Sequence, residues 1–147
     1  MPDRVDPETR RRIMRAVKGK NTGLELRLRS LIWRQGIRGY RCNVRTIPGT
    51  PDVAWAGLRV AVFLDSAWWH GHPSRWTPGR SPSGWDEKIA RNVARDDEVT
   101  TQLKLDGWRV VRIWDFELAR DPALSVSRVG AAVDAAKAGR RSAQPRS

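Results

Sequence analysis

The segment Leu58-Arg59-Val60-Ala61-Val62-Phe63-Leu64 constrains the fold more than any other part of the chain. From Val60 onward its residues are apolar without alternation, the pattern of a strand covered on both faces. Such a strand needs helices above and below it, so a layered α/β domain is expected. Ala56-Gly57 reads as a hairpin turn that pairs this strand with the extended Asp52-Val53-Ala54-Trp55. Further strands are expected at Tyr40–Val44 and at Trp108–Trp114, the second directly after Gly107.

Helices account for most of the rest. Asp6-Pro7-Glu8 is a helix start, with Asp as cap and Pro at the first position, leading into a basic helix over Thr9–Val17. Thr22-Gly23-Leu24-Glu25 has capping-box spacing, and Leu24, Leu28, Leu31 and Ile32 form an apolar stripe that ends at Gln35-Gly36. A third helix opens at Trp85 or Asp86 and runs to about Asp106, with Ile89, Val93 and Leu103 on its apolar side. A fourth spans Ala123–Ala138 and carries Leu124, Val129 and Val133. The chain therefore divides into a basic helical arm over 1–20, one α/β domain over 21–138 and a basic disordered tail over 139–147. Asp65–Gly84 is a long loop holding Trp68, Trp69, His70 and His72, and loops of that length in small domains tend to carry function.

Charge narrows the partner. Lys and Arg number 28 against 16 Asp and Glu, a formal net charge of +12, which favours a polyanion and nucleic acid first. The basic arm lacks the large apolar face that a membrane-surface helix requires. No apolar run approaches the roughly 20 residues of a membrane span, and the start of the chain lacks a secretory core. Cys42 is the single cysteine, which excludes intrachain disulfides and a cysteine-based zinc cluster. A soluble protein of the cytoplasm is expected. Seven of the eight tryptophans divide in two. Trp33, Trp55, Trp108 and Trp114 lie on regular elements and read as core, whereas Trp68, Trp69 and Trp85 lie in or beside the long loop.

The hairpin also sets up chemistry. It brings Asp52, at a strand start, close to the Leu64 region at the end of the next strand. A carboxylate beside main-chain carbonyls supplies the hard oxygen ligands that suit Mg²⁺, which keeps waters and accepts phosphate oxygens as phosphodiester hydrolysis requires. His70, a few residues on, is placed to act as a general base.

Seven blocks then stand together in order. They are Arg12-Ile13-Met14-Arg15-Ala16-Val17, Thr22 to Leu28, Pro48-Gly49-Thr50-Pro51-Asp52, Val62-Phe63-Leu64-Asp65, Trp68-Trp69-His70-Gly71-His72-Pro73, Trp85 to Asp96, and Gly107 to Trp114. In these blocks the chain closely resembles the very short patch repair (Vsr) endonuclease family, across about Thr9–Ala119. The resemblance implies the restriction-endonuclease-like PD-(D/E)xK fold, a mixed central sheet flanked by helices. It implies an enzyme that nicks one DNA strand 5′ to the T of a T:G mismatch, the product of 5-methylcytosine deamination.

By matching position, Asp52 is the metal-binding carboxylate, Leu64 offers its main-chain carbonyl to one or two Mg²⁺ ions, and His70 is the catalytic histidine. Glu25 and Asp96 match the acidic residues that support the metal waters and the base. Each also has a structural reading: Glu25 in the capping box, and Asp96 as a solvated helix carboxylate paired with Arg95 or Lys88. Trp68, Trp69 and Trp85 match aromatic wedges beside the mismatch, where unstacking costs least. Met14 matches a residue approaching from the other groove, and Arg11, Arg12, Arg15, Lys18 and Lys20 are placed to meet phosphates.

In one respect the chain departs from the family. The family commonly holds a structural zinc with three cysteines and a histidine; here the histidine is His72, and the cysteine positions read Ala67, Ser74 and Phe116. No zinc is expected, with Phe116 and Trp68 as candidates to fill the space. The favoured reading is a monomeric Mg²⁺-dependent T:G mismatch nickase acting on double-stranded DNA. The alternatives are a nickase of the same fold with another lesion or a defence-related substrate, and a non-catalytic DNA-damage-binding protein.

Overall fold

Five of the six residues from Val60 to Asp65 are buried, as two-sided cover of the apolar run requires. The computed structural model describes residues 23–67, 72, 79 and 84–143. Along the chain the elements are α1 (Gly23–Arg34), β1 (Arg41–Cys42), β2 (Val53–Trp55), β3 (Val60–Asp65), α2 (Trp85–Leu105), β4 (Arg109–Trp114), α3 (Asp115–Arg120) and α4 (Pro122–Ala143). The expected basic helix over Thr9–Val17 lies outside the described residues.

The four strands form one sheet in the order β1-β2-β3-β4. β1, β2 and β3 are successively antiparallel, whereas β3 and β4 run parallel, so the sheet is mixed. Parallel neighbours need a crossover, and α2 lies in the segment that makes it. Period-two alternation then divides the core. Val53, Trp55, Val60, Val62, Val111 and Ile113 face a cluster completed by Leu28 and Ile32 of α1, Leu118 of α3, and Val129, Val133 and Ala136 of α4. The intervening Ala54, Ala61 and Phe63 pack with Ile47 and with Leu103 of α2. The result is three layers, with α1, α3 and α4 on one face of the sheet and α2 on the other.

Several boundaries differ from expectation for identifiable reasons. The strand expected over Tyr40–Val44 is reduced to two residues, because Asn43 turns into the left-handed region at φ 50°. The hairpin turn takes four residues rather than two, with Arg59 at φ 56° and its amide donating to the Ala56 carbonyl at 3.3 Å. Trp33, expected in the core, is 55% exposed and is covered by the Arg38 guanidinium, 3.4 Å from the ring centroid. Leu124, expected on the buried face of the last helix, is also exposed. That helix begins at Pro122 under an Asp121 cap, which turns Ser125 and Val126 inward in its place. α4 also runs on to Ala143, five residues past its expected end at Ala138. Helix α3 was not expected at all. It is a single short element capped by the Glu117 carboxylate, which accepts the Trp114 amide at 3.1 Å. No helix among the described residues is long and apolar enough to cross a membrane.

The approach to the second strand depends on one glycine. Gly49 sits at φ 79°, and a Cβ there would meet Val99 Cγ1 at 2.6 Å and the Phe63 ring at 3.0 Å. The Pro48–Pro51 turn therefore lies directly against α2 and β3. Gly49→Ala is expected to destabilise the fold by about 1–3 kcal/mol, from backbone strain and contact together. A thermal melt of the variant beside the parent chain checks this.

Candidate active site

The register Val53↔Val62 carries the residue before β2 alongside the end of β3. There the Leu64 amide donates to Asp52 Oδ2 at 2.7 Å. The Glu25 carboxyl, from the first turn of α1, forms a hydrogen bond with Asp52 and adds its charge nearby. Burial, and then this second carboxyl, push Asp52 up to about 7, although the Leu64 amide pulls in the opposite direction. A carboxyl held with its proton this readily is one that a divalent cation can discharge by taking the proton's place. The donors are oxygens at the mouth of a strand pair and suit a hard cation. Asp52 and the Leu64 main chain would hold it, with Glu25 beside them. Glu25 is also 3.5 Å from Arg29, one helical turn on, while Thr22 of the expected capping box lies outside the described residues.

A second cluster joins the end of β3 to α2. Arg112 Nη1 lies 3.0 Å from both carboxylate oxygens of Asp65, which is buried. Its Nε donates to Thr100 Oγ1 at 2.8 Å and its Nη2 to the Asp96 carbonyl at 3.4 Å. The Asp96 carboxylate is 3.9 Å from the same guanidinium, so it also meets Arg112. Arg112 and Asp65 were not singled out in the sequence. A signal was present: in the apolar strand Val110-Val111-Arg112-Ile113-Trp114, the one charged residue falls on the α2 face of the sheet.

Beyond β3 the loop is tied back to α3. The Ala67 amide donates to Asp115 Oδ1 at 3.1 Å, and the same oxygen accepts the Phe116 amide at 2.8 Å. The His72 amide donates to the Ala67 carbonyl at 2.7 Å. The His72 ring meets Trp114 edge to face at 4.7 Å between centroids, and Phe116 at 5.0 Å. Trp85 opens α2, with Lys88 Nζ 5.0 Å from its ring centroid. The remaining candidates, His70, Trp68, Trp69, Met14, Arg11, Arg12, Arg15, Lys18 and Lys20, lie outside the described residues.

Residues 2–75 match the family model described as DNA mismatch endonuclease Vsr. The chain belongs to the Vsr family. It is 38% identical to the type II nicking enzyme V.NmeDIP of Neisseria meningitidis serogroup C, covering 89% of this chain and 90% of that protein. It is 39% identical to the type II nicking enzyme V.XorIIP of Xanthomonas oryzae pv. oryzae, over 81% of this chain and 88% of the relative. The DNA mismatch endonuclease Vsr of Escherichia coli K12 is 35% identical over 80% of this chain and 76% of its own length. Vsr membership makes the chain a DNA endonuclease with DNA as its substrate, and it fits the mixed sheet and flanking helices described above.

The family's zinc does not fit this chain. His72 and Phe116 stand together, as a shared site would require, but Phe116 and the buried Ala67 have no atom that can ligate a metal. Among the described residues no group of three His, Cys, Asp or Glu side chains is placed to hold an ion. Aromatic packing occupies the position instead. Metal analysis of the purified protein is expected to find no stoichiometric zinc; one zinc per chain would contradict this account of the loop.

The raised Asp52 carboxyl also has a consequence for stability. Between its ordinary value of 3.8 and about 7 the folded chain keeps a proton that the unfolded chain releases. In the absence of metal, stability therefore falls as pH rises through that window and levels off above it. Asp52→Asn keeps the neutral form at all pH. It should raise the melting temperature at pH 8, by several degrees if the gain is about 1–2 kcal/mol, and leave it nearly unchanged at pH 4. Calorimetric melts at the two pH values check the sign.

Proposed function

We propose that this Vsr-family chain is a Mg²⁺-dependent mismatch endonuclease that nicks one strand of duplex DNA 5′ to the T of a T:G mismatch, acting as a monomer. The observation that carries the reading is the Asp52 carboxylate, held by the Leu64 amide at 2.7 Å and paired with Glu25. Asp52 and the Leu64 carbonyl bind the metal. When bound, the ion supplies Lewis-acid stabilisation of the phosphate and a more acidic water.

His70 takes the proton of the attacking water, and Asp96 and Glu25 orient and balance the charges around it. Trp68, Trp69 and Trp85 enter the base stack beside the lesion, with Met14 approaching from the other groove. Unstacking is cheapest at a mismatched step, so the same distortion that opens the strand selects the site. Arg11, Arg12, Arg15, Lys18 and Lys20 hold the duplex through its phosphates. The E. coli relative's name, DNA mismatch endonuclease, supports a mismatch as the target.

A second reading is a nickase of the same fold with a different mismatch context or lesion. It is favoured by Ala67 and Phe116 at two of the family's cysteine positions, with Phe116 packed against His72. The names of the type II nicking enzymes among the relatives are compatible with both readings.

End-labelled duplexes decide between them. With Mg²⁺, a T:G duplex should be nicked on the T strand while the matched C:G control stays intact. Asp52→Ala should lower the rate by about a thousandfold, the scale of several kcal/mol of lost charge stabilisation. His70→Ala should lower it by about 10²–10⁴-fold. Equal cutting of both duplexes, or of neither, would overturn the mismatch reading in favour of the second.

A further inference from the structure

We infer that Arg112 is a positioning residue for the Asp52 site: its guanidinium clamps the end of β3 to α2 and so fixes the Leu64 main chain and Asp96 around Asp52. The inference rests on the reading of Asp52 and the Leu64 carbonyl as the metal site. Three observations carry it.

First, every guanidinium nitrogen is assigned. Nε goes to Thr100 Oγ1, Nη1 to both Asp65 oxygens, and Nη2 to the Asp96 carbonyl. The plane of the group is thereby set from three directions, with the Phe63 ring 4.2 Å away on its face. Second, its partners lie beside the candidate machinery. Asp65 directly follows Leu64, whose amide holds Asp52, and Asp96 is itself a candidate residue of the site. Third, Asp65 is the last paired residue of β3, matched to Trp114 at the end of β4. The Arg112–Asp65 contact therefore ties the last rung of the ladder, directly after Leu64, to the side of the sheet that α2 covers.

A clamp of this kind differs from general core packing in what its loss does. A lysine at 112 can neutralise Asp65 as a point charge, but it cannot also reach Thr100 and the Asp96 carbonyl in one plane. Arg112→Lys should therefore keep most of the stability and lose the geometry. Displacements near 1 Å at a reacting centre cost on the order of a hundredfold in rate.

The test uses the full chain with Mn²⁺ as the probe ion, its binding followed by electron paramagnetic resonance without DNA, together with Mg²⁺-dependent nicking of the T:G duplex. The variants are Arg112→Lys, the double variant Asp65→Asn with Arg112→Met, which leaves no buried unpaired charge, and Asp52→Ala. Arg112→Lys and the double variant should melt as folded proteins, bind Mn²⁺ at least about fivefold more weakly, and nick about 10–100-fold more slowly at an unchanged KM for duplex. Wild-type Mn²⁺ affinity and rate in both, or losses that only follow the unfolded fraction, would overturn the clamp. If Asp52→Ala binds Mn²⁺ and nicks like the parent, the metal-site reading itself fails. If Asp52→Ala is inert while the Arg112 variants behave as the parent, only the clamp fails.

Discussion

The hydrogen bond from the Leu64 amide to Asp52 Oδ2, 2.7 Å long, is the contact around which the catalytic end is arranged. It exists because a four-residue turn returns the chain antiparallel, in a register that brings Asp52 beside the last residues of β3. Holding a carboxylate there is costly. Burial and the neighbouring Glu25 push its proton affinity up to near neutrality, and a single main-chain amide compensates only in part. That is a poor arrangement for stability and a useful one for chemistry, since a cation gains most where a proton is held with difficulty. The Pro48–Pro51 turn, pressed against Phe63 and Val99 through Gly49, keeps the approach rigid.

Around that contact, two further fastenings stand in for what the sheet alone cannot supply. One is ionic: Arg112 gathers Asp65, Thr100 and the main chain of Asp96, linking a strand end to the crossover helix. The other is aromatic. His72 packs between Trp114 and Phe116, while Asp115 holds the amides of Ala67 and Phe116 with one oxygen. In relatives with a zinc at this position, the metal would hold the loop through bonds of fixed geometry. Edge-to-face rings are each worth only about 0.5–1.5 kcal/mol and are less directional than such bonds. The second reading of substrate choice follows from that substitution.

Much of this was legible in the residues. The apolar run to Leu64, the preceding turn and the glycine-closed helices announced a covered sheet, and the Pro51-Asp52 and Leu64 juxtaposition follows from the hairpin alone. Leu28, Ile32, Ile89 and Leu103 are buried as their spacing predicts. What escaped depended on partners distant in sequence. Arg112 lies 47 residues from Asp65 and 16 from Asp96, and an arginine in a strand gives no sign of which acid it meets. Trp33 looked like core because it is large and apolar, yet its helix places it outward, where Arg38 covers it. α3 escaped because six residues with three apolar side chains carry too little periodicity to distinguish a turn of helix from a loop. Glu25 had two possible roles in the sequence, and its geometry places it against Asp52 and Arg29.

The central claim is that Asp52 and the main chain of Leu64 form the divalent-metal site of this Vsr-family endonuclease. Anomalous scattering from crystals grown with Mn²⁺ tests it most directly. The account predicts a peak within bonding distance of the Asp52 carboxylate and the Leu64 carbonyl, and none at His72. A peak at His72, or an ion held away from Asp52, would contradict it.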